Sequence, residues 1–455
     1  MKKLTKFNVF STVYGGTIGS GIFLMIGYAI GGAGRSLPLA VLLGAVYITM
    51  ANLYSYIITS MVPLKGGMYD HIAFVASPVL VGVMALSGVL GATMVTGFAT
   101  GIVDYLAVVF PAIAAYRKII AFFIILAFFV LSYFGTEAYA KVQDIMTVVL
   151  LASLVLFSIL GLTHVDFGNY FSSAEGNFFH GGFTGFISAA ALMAFTCTGG
   201  EGCGFALAGE VDKPTKTIPK YTLLGVFAAV GTYLLMCIVA AGVLPIEQVE
   251  YQPLTVVAEV FMHGPLFYVF VIGGAVFALL TSLNGYIVYL KYPMIEAAKD
   301  GWLPKIMGKQ TKTGYPIYGM IVCFLLGVIP LFFDISFDTI VTITSVATLP
   351  LMIVANFACI RLPKQFPKLW KNSIFHMPYP VYVVLMALAG LCSCYYMYSY
   401  VADYDLTFKL ITLGIMLVLY GACYVLVKTG KVDITPILEK KKRVVAEMEA
   451  YSENG

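Results

Sequence analysis

Charge is scarce in this chain. Only 11% of its 455 residues are Asp, Glu, Lys or Arg, where a soluble domain carries about 25%. The formal net charge of +4 needs no nucleic acid or other polyanion to explain it. Paired cysteine spacing is absent. Cys197, Cys203, Cys237, Cys323, Cys359, Cys392, Cys394 and Cys423 lie mostly in apolar segments, which argues against a disulfide framework and for free thiols used as small apolar residues. The five histidines, His71, His164, His180, His263 and His376, are too scattered for a metal constellation and read as ordinary surface or interface residues. No nucleophile-base spacing marks an enzyme. No phosphate-binding loop is present, which argues against an ATP-driven pump in one chain. Apolar and polar residues do not alternate over segments of about ten, as a membrane β-barrel requires.

What is abundant is apolar length. The chain is 60% hydrophobic, with a mean hydropathy of +0.91. Several windows of about 18–25 residues carry almost no charge, enough to cross a bilayer. The pattern predicts an all-α polytopic membrane protein with twelve spans. They fall near 9–32, 38–61, 79–103, 119–135, 143–163, 183–209, 221–244, 263–290, 316–332, 338–360, 379–400 and 407–427. The first apolar segment is too long for a cleavable signal peptide and leads into further spans.

Charge placement tests the count. With an even number of spans both termini share a side. The segments on that side hold Lys65, Lys141, Lys213, Lys216, Lys220, Lys291, Lys299, Lys305, Lys309 and Lys312. They also hold Arg361, Lys364, Lys368, Lys371, Lys428, Lys431 and the run from Lys440 to Arg443. Only Arg35, Arg117, Lys118 and Lys409 fall near the other side, and the longer outer loops, about 164–180 and 245–262, hold no Lys or Arg. This is the positive-inside pattern, with Lys2, Lys3 and Lys6 anchoring the start. It places both termini in the cytoplasm of a cell-membrane protein. The chain divides into a twelve-span body, 1–435, and a charged cytoplasmic tail, 436–455. The tail has the composition of a short helix over Pro436–Glu449 and reads as a soluble cytoplasmic tail, with binding of anionic lipid by its basic run as the alternative.

The first span contains TIGSGIF, Thr17 to Phe23, and the ten residues from Tyr14 hold four glycines. Each weakens a helix interior by up to about 1 kcal/mol relative to alanine. Close helix packing is one possible cause, since Gly15 and Gly19 are four apart. However, Gly16, Gly19 and Gly21 do not share a narrow stripe. Local unwinding accounts for the cluster better. Backbone can leave the helix inside a membrane only where its polar groups are satisfied, and the amides of Gly19, Ser20 and Gly21, opening the second half-helix, suit a carboxylate.

A transporter built from inverted repeats breaks a matching span in its second half. The sixth span reads ALMAFTCTGGEGCGFALAGE, with Gly199, Gly200, Gly202 and Gly204 around Glu201. An unwound stretch here exposes carbonyls that suit an ammonium. One break offers donors to a carboxylate and the other acceptors to an ammonium, so together they describe a zwitterion such as an α-amino acid. The spacing fits a five-plus-five arrangement: repeat one about 9–163, repeat two about 183–360, and two further helices over about 379–427. An acid within a span is costly. Glu201 either braces a neighbouring helix or takes part in coupling.

At these residues the chain resembles the amino acid–polyamine–organocation transporters, in particular the bacterial amino acid permeases. The likeness rests on Ile18-Gly-Ser-Gly-Ile-Phe23, on Pro63-Leu-Lys-Gly-Gly-Met-Tyr69, on Gly199-Gly-Glu201 followed by Glu210-Val-Asp-Lys-Pro214 and Ile218-Pro219, and on the stretch Ala297 to Pro304. The resemblance implies the LeuT-like inverted-repeat fold with helices 1 and 6 broken, and transport by alternating access. It implies that the amides of Ser20 and Gly21 hold the substrate carboxylate and the carbonyls of Phe195, Thr196 and Thr198 its ammonium. Cys197 and Gly199 would border the side-chain pocket, and Glu201 matches the family's glutamate after the sixth-span break. The chain departs from the pattern at Cys197, where an aromatic gate is common, and at 143–151, which lacks the lysine some members carry.

That missing lysine leaves room for a sodium ion. Thr281 and Ser282, with carbonyls of Gly15 and Ile18, form an oxygen set suited to a hard cation. The same hydroxyls equally suit back-bonding within or between helices, and a proton remains the other coupling ion. No cofactor and no obligatory protein partner is expected beyond a small-molecule amino acid and membrane lipid. A buried Arg or Lys for an anionic substrate is missing from the span centres, and Asp104, Asp334 and Asp338 are placed toward the outside. A neutral L-amino acid is therefore the expected substrate of a secondary transporter. The rivals are an exchanger for a cationic amino acid or polyamine, and an amino-acid-binding membrane sensor that moves no solute.

Overall fold

The computed structural model describes residues 3–171, 178–333, 337–402 and 406–454. Within them the chain is helical, and the one extended contact is an isolated parallel bridge between Leu4 and Val211. The loop near 164–180 lies partly outside the described residues, as does Asp334.

The first apolar segment forms two helices, α1 (Lys6–Thr17) and α2 (Ser20–Ala33). The second is divided at Asn52 into α3 (Leu37–Ala51) and α4 (Leu53–Met61), where the sequence suggests one continuous span. A short helix, α5 (Met68–Val75), follows the Pro63–Tyr69 motif. Next come α6 (Pro78–Leu90), α7 (Met94–Val109), α8 (Arg117–Tyr133) and α9 (Thr136–Leu162). The sixth apolar segment is again two helices, α10 (Gly182–Thr196) and α11 (Gly200–Ala206). It leads to α12 (Pro214–Gly242) and to α13 (Pro265–Lys299), which contains a wider π-helical stretch at Val269–Val276. The remaining long helices are α14 (Ile317–Phe333), α15 (Phe337–Cys359), α16 (Tyr379–Ala402), α17 (Leu406–Lys428) and α18 (Thr435–Asn454). Asp338 thus falls in the first turn of α15 rather than in a loop.

Among the described residues nine helical stretches are long and apolar enough to cross a membrane, and two shorter apolar helices, Ile317–Phe333 and Ala347–Cys359, accompany them. The two halves of the first apolar segment are each too short to cross alone, because the break divides them. The outward faces of the long helices are apolar: Phe123, Val130, Leu410, Leu417 and Val418 are all exposed. Apolar surface on this scale is a liability in water and the natural state in lipid. The chain is a multi-pass membrane protein.

The broken segments pack together at the centre. α10 lies against α2 and α3, and α1 lies against α9, α11, α12 and α13. Side chains at this junction have given way to glycine. A Cβ on Gly200 would fall 2.1 Å from Thr17 Oγ1 and 2.2 Å from the Val13 carbonyl oxygen, and one on Gly16 would fall 3.1 Å from Gly200 Cα. Close helix packing therefore accounts for Gly16 and Gly200, while the breaks themselves lie just beyond them.

The two chain ends meet on one face. Lys3 Nζ donates to the Gly209 carbonyl at 3.0 Å and the Leu4 amide to that of Glu210 at 2.8 Å. On the same face α18 packs against the body. It runs beyond the expected Pro436–Glu449, and it is docked rather than solvated: Ile437 is buried, and Val444, Val445 and Met448 pack against the core.

Candidate functional site

The helical hydrogen-bond ladder of α1 ends with the Ile18 amide donating to the Tyr14 carbonyl at 3.0 Å. Gly19 is then extended, and α2 starts at Ser20. The first amides of a helix have no partner within it, so those opening α2 need acceptors from elsewhere. At the second break the Thr198 amide closes a last turn on the Phe195 carbonyl at 3.1 Å. Gly199 then adopts a φ of +97°, a left-handed backbone that an L side chain resists, and α11 resumes at Gly200. The end of α10 carries partial negative charge and the start of α2 partial positive charge. Both line one cavity of about 200 Å³.

Of the residues singled out from sequence, Gly19, Gly21, Phe195, Thr196, Thr198, Gly199 and Ser282 line this cavity. Cys197 does not: it is fully buried, and its place beside the pocket is taken by the Phe195 ring, which clusters with Met94, Phe98 and Tyr286. An aromatic side chain thus lines the cavity two positions before Cys197. Among the described residues the remaining wall is neutral, with Met84, Ser87, Tyr289, Met352 and Tyr396 among its members and no Asp, Glu, Lys, Arg or His.

Glu201 is also outside the cavity wall. It is fully buried and accepts hydrogen bonds from Tyr56 Oη at 2.7 Å and from Asn52 Nδ2. Both donors flank the interruption between α3 and α4, and Asn52 itself reaches the cavity. These bonds are those of a brace between the second half-helix and its neighbour. A buried carboxyl requires such partners.

Two further residues complete the junction without any mark in the sequence. Tyr233 on α12 is fully buried, and its hydroxyl reaches the Thr17 carbonyl at 2.8 Å and the Thr196 carbonyl at 3.3 Å. One phenol therefore touches the last residue of helix before each break, and the Thr196 carbonyl already has a donor. Nothing in a long apolar helix distinguishes one tyrosine among thirty. Gln143 on α9 stands beside Gly15: a Cβ there would fall 2.7 Å from Gln143 Nε2. Its side-chain amide accepts from Asn284 Nδ2 at 2.8 Å and donates to the Ser11 carbonyl at 3.4 Å. In the stretch that lacks a lysine, a neutral amide fills this place.

Thr281 and Ser282 on α13 face the first break. Thr281 Oγ1 donates to the Gly15 carbonyl at 2.9 Å, and Ser282 Oγ lies 3.3 Å from that carbonyl and 3.5 Å from that of Ile18. The four groups expected to gather do gather, joined by helix-to-helix hydrogen bonds. Asp104 is not among them: its carboxylate is held by the Arg117 guanidinium at 2.6 and 2.7 Å on the protein exterior. His71 departs from the expectation of a surface histidine. It is fully buried in α5, with Nε2 2.9 Å from Thr59 Oγ1.

Comparison with known proteins gives a family model described as amino acid permease, which matches residues 4–430. An uncharacterized amino acid permease of Bacillus subtilis is 25% identical over 268 residues, 56% of this chain and 60% of that one. A lysine-specific permease of Lactococcus lactis is 27% identical over 333 residues, 68% of this chain and 64% of its own. The chain thus spans less than two thirds of the length of these two relatives. A branched-chain amino acid permease of Bacillus subtilis is 25% identical over 396 residues, 81% of this chain and 82% of that one. With a match across nearly its whole length, the chain belongs to the amino acid permease family.

Proposed function

We propose that the protein is a secondary transporter of a neutral L-amino acid, working by alternating access across the cell membrane with both termini cytoplasmic. The observation that carries this is the cavity at the two breaks, lined by the start of α2, by the end of α10 and, among the described residues, by no charged side chain. The α2 amides of Ser20 and Gly21 take the carboxylate. The Thr198 carbonyl, with the remaining lone pairs at Phe195 and Thr196, takes the ammonium. In the twelve-span reading the body is an inverted repeat, with α1–α2 and α10–α11 as its equivalent broken spans. Glu201 acts through Asn52 and Tyr56 as a positioning residue for α11.

The test is ligand stabilisation of the purified protein. A ligand at about 100 times its Kd adds about 2.7 kcal/mol to stability, a shift readily seen in a thermal melt. Neutral L-amino acids should raise the melting temperature. Their methyl esters, which lack the carboxylate, and their N-acetyl forms, which lack the ammonium, should not. Equal stabilisation by all three would overturn the zwitterion assignment.

A cationic substrate is the second reading, favoured by the relative named for lysine. The neutral cavity wall speaks against it. Sodium is the coupling ion that Gly15, Ile18, Thr281 and Ser282 would suit, the two hydroxyls turning from the carbonyls to the ion. Uptake unchanged when choline replaces sodium at fixed pH and membrane potential would leave these hydroxyls only a packing role.

A further inference from the structure

The C-terminal helix α18 puts a lysine where an ion pair holds separate parts of the bundle together. Lys440 Nζ lies 2.6 Å from Asp70 Oδ1, 2.5 Å from Glu296 Oε2 and 3.7 Å from Asp300 Oδ2. The carboxylates come from two distant parts of the chain: Asp70 is on α5, whereas Glu296 is on the last turn of α13 and Asp300 just after it. All three are largely buried, and the Lys440 side chain is 17% exposed. Each carboxylate is also fixed locally. The Gly66 amide donates to Asp70 at 2.9 Å, Lys299 Nζ to Glu296 at 2.8 Å and Tyr69 Oη to Asp300 at 3.0 Å. Burial pushes the Asp70 carboxyl up, with Lys440 opposing it. Burial works against the Lys440 ammonium, but the three carboxylates outweigh it and hold the ammonium above its ordinary value. Three acids without this cation would repel one another.

The neighbouring lysine adds a second hold. Lys441 Nζ donates to the Phe74 carbonyl at 2.5 Å and sits over the rings of Phe74 and Phe366. What α18 ties down is next to the second half-helix of the broken span. A Cβ on Gly67, at the start of α5, would fall 3.1 Å from Ala206 Cα on α11, and one on Gly202 of α11 would fall 3.3 Å from Met68 Sδ. Under α18 lies a cavity of about 770 Å³ lined by Lys3, Lys65, Asp70, Gly209, Glu296 and Lys440, among others. The helix crosses this hollow as a strap.

We propose that α18 is a latch: Lys440 ties α5 to the end of α13, keeps α11 closed on the termini face, and must leave its carboxylates before that face opens. The rate effect rests on the transport reading above, whereas the docking does not. A full-length Lys440→Gln variant in lipid nanodiscs should show several-fold faster amide hydrogen exchange over α18 and over Gly200–Ala206. Lys440→Arg, which keeps the charge, should exchange like the wild type. Reconstituted in vesicles, Lys440→Gln should also exchange internal for external labelled neutral amino acid several-fold faster. Unchanged exchange over α18 would show that Lys440 does not hold the helix. Faster exchange over α18 alone, or an opened Gly200–Ala206 with no gain in rate, would make the helix a passive brace. Either result overturns the latch. If the wild type itself moves no amino acid, the transport reading has failed and the rate arm falls away with it, and exchange over the two segments then decides whether Lys440 holds α18 and α11 in place.

Discussion

At the scale of single residues, the site depends on a few atoms that carry no obvious mark. Tyr233 is the clearest case. Its phenol reaches the carbonyls of Thr17 and Thr196, and both residues are buried. Leaving a buried acceptor without its donor costs about 1–3 kcal/mol. Tyr233→Phe should therefore lower the melting temperature of the ligand-free protein and weaken amino-acid binding. A variant with wild-type melting and wild-type affinity would show that the two breaks do not need this link. Gly199 makes a second prediction. At φ +97° a side chain adds at least about 1 kcal/mol of backbone strain, and a Cβ would also lie 3.1 Å from the Gly16 carbonyl. Gly199→Ala should impair binding more than Gly414→Ala, because Gly414 has open space around it. Glycine clusters are visible in the sequence as breaks. Tyr233 and Gln143 are not, because their roles come from which helices touch, and apolar periodicity carries no such information.

At the scale of elements, the informative feature is that two interrupted helices meet. Both interruptions are legible in the sequence to within a residue or two, because several glycines crowded into an apolar run disfavour continuous helix there. The interruption at Asn52 is not legible, since one asparagine in an apolar run reads as an ordinary polar residue. Asn52 and Tyr56 together hold Glu201, so α4 and α11 form one unit. Tyr56→Phe removes one hydrogen bond to a buried carboxyl, worth about 1–3 kcal/mol. It should lower thermal stability while leaving the ranking of amino-acid ligands unchanged, because Glu201 does not face the cavity. A changed ranking would place Glu201 in substrate recognition. The tail is the element where composition misleads most. Its Lys and Glu content reads as a solvated helix, yet Lys440 is buried against three acids that sequence distance hides.

At the scale of the whole molecule, scarcity of charge decides the class, and the proposed orientation rests on its one-sided distribution. The family match over residues 4–430 agrees with what the motifs imply. The count of spans is harder to recover: the described residues contain nine helical stretches long enough to cross, one of them, Met25–Ala51, joining parts of the first two expected spans, with two shorter apolar helices beside them. Substrate choice is also a whole-molecule property, because it depends on what every wall of the cavity lacks. The direct test of the central claim is counterflow in vesicles preloaded with unlabelled amino acids, with one labelled amino acid outside and lysine and glutamate as competitors. The predicted result is transient accumulation of a neutral amino acid, displaced by other neutral amino acids and only weakly by lysine or glutamate. Accumulation of lysine in preference to every neutral amino acid, or of none by correctly folded protein, would contradict it.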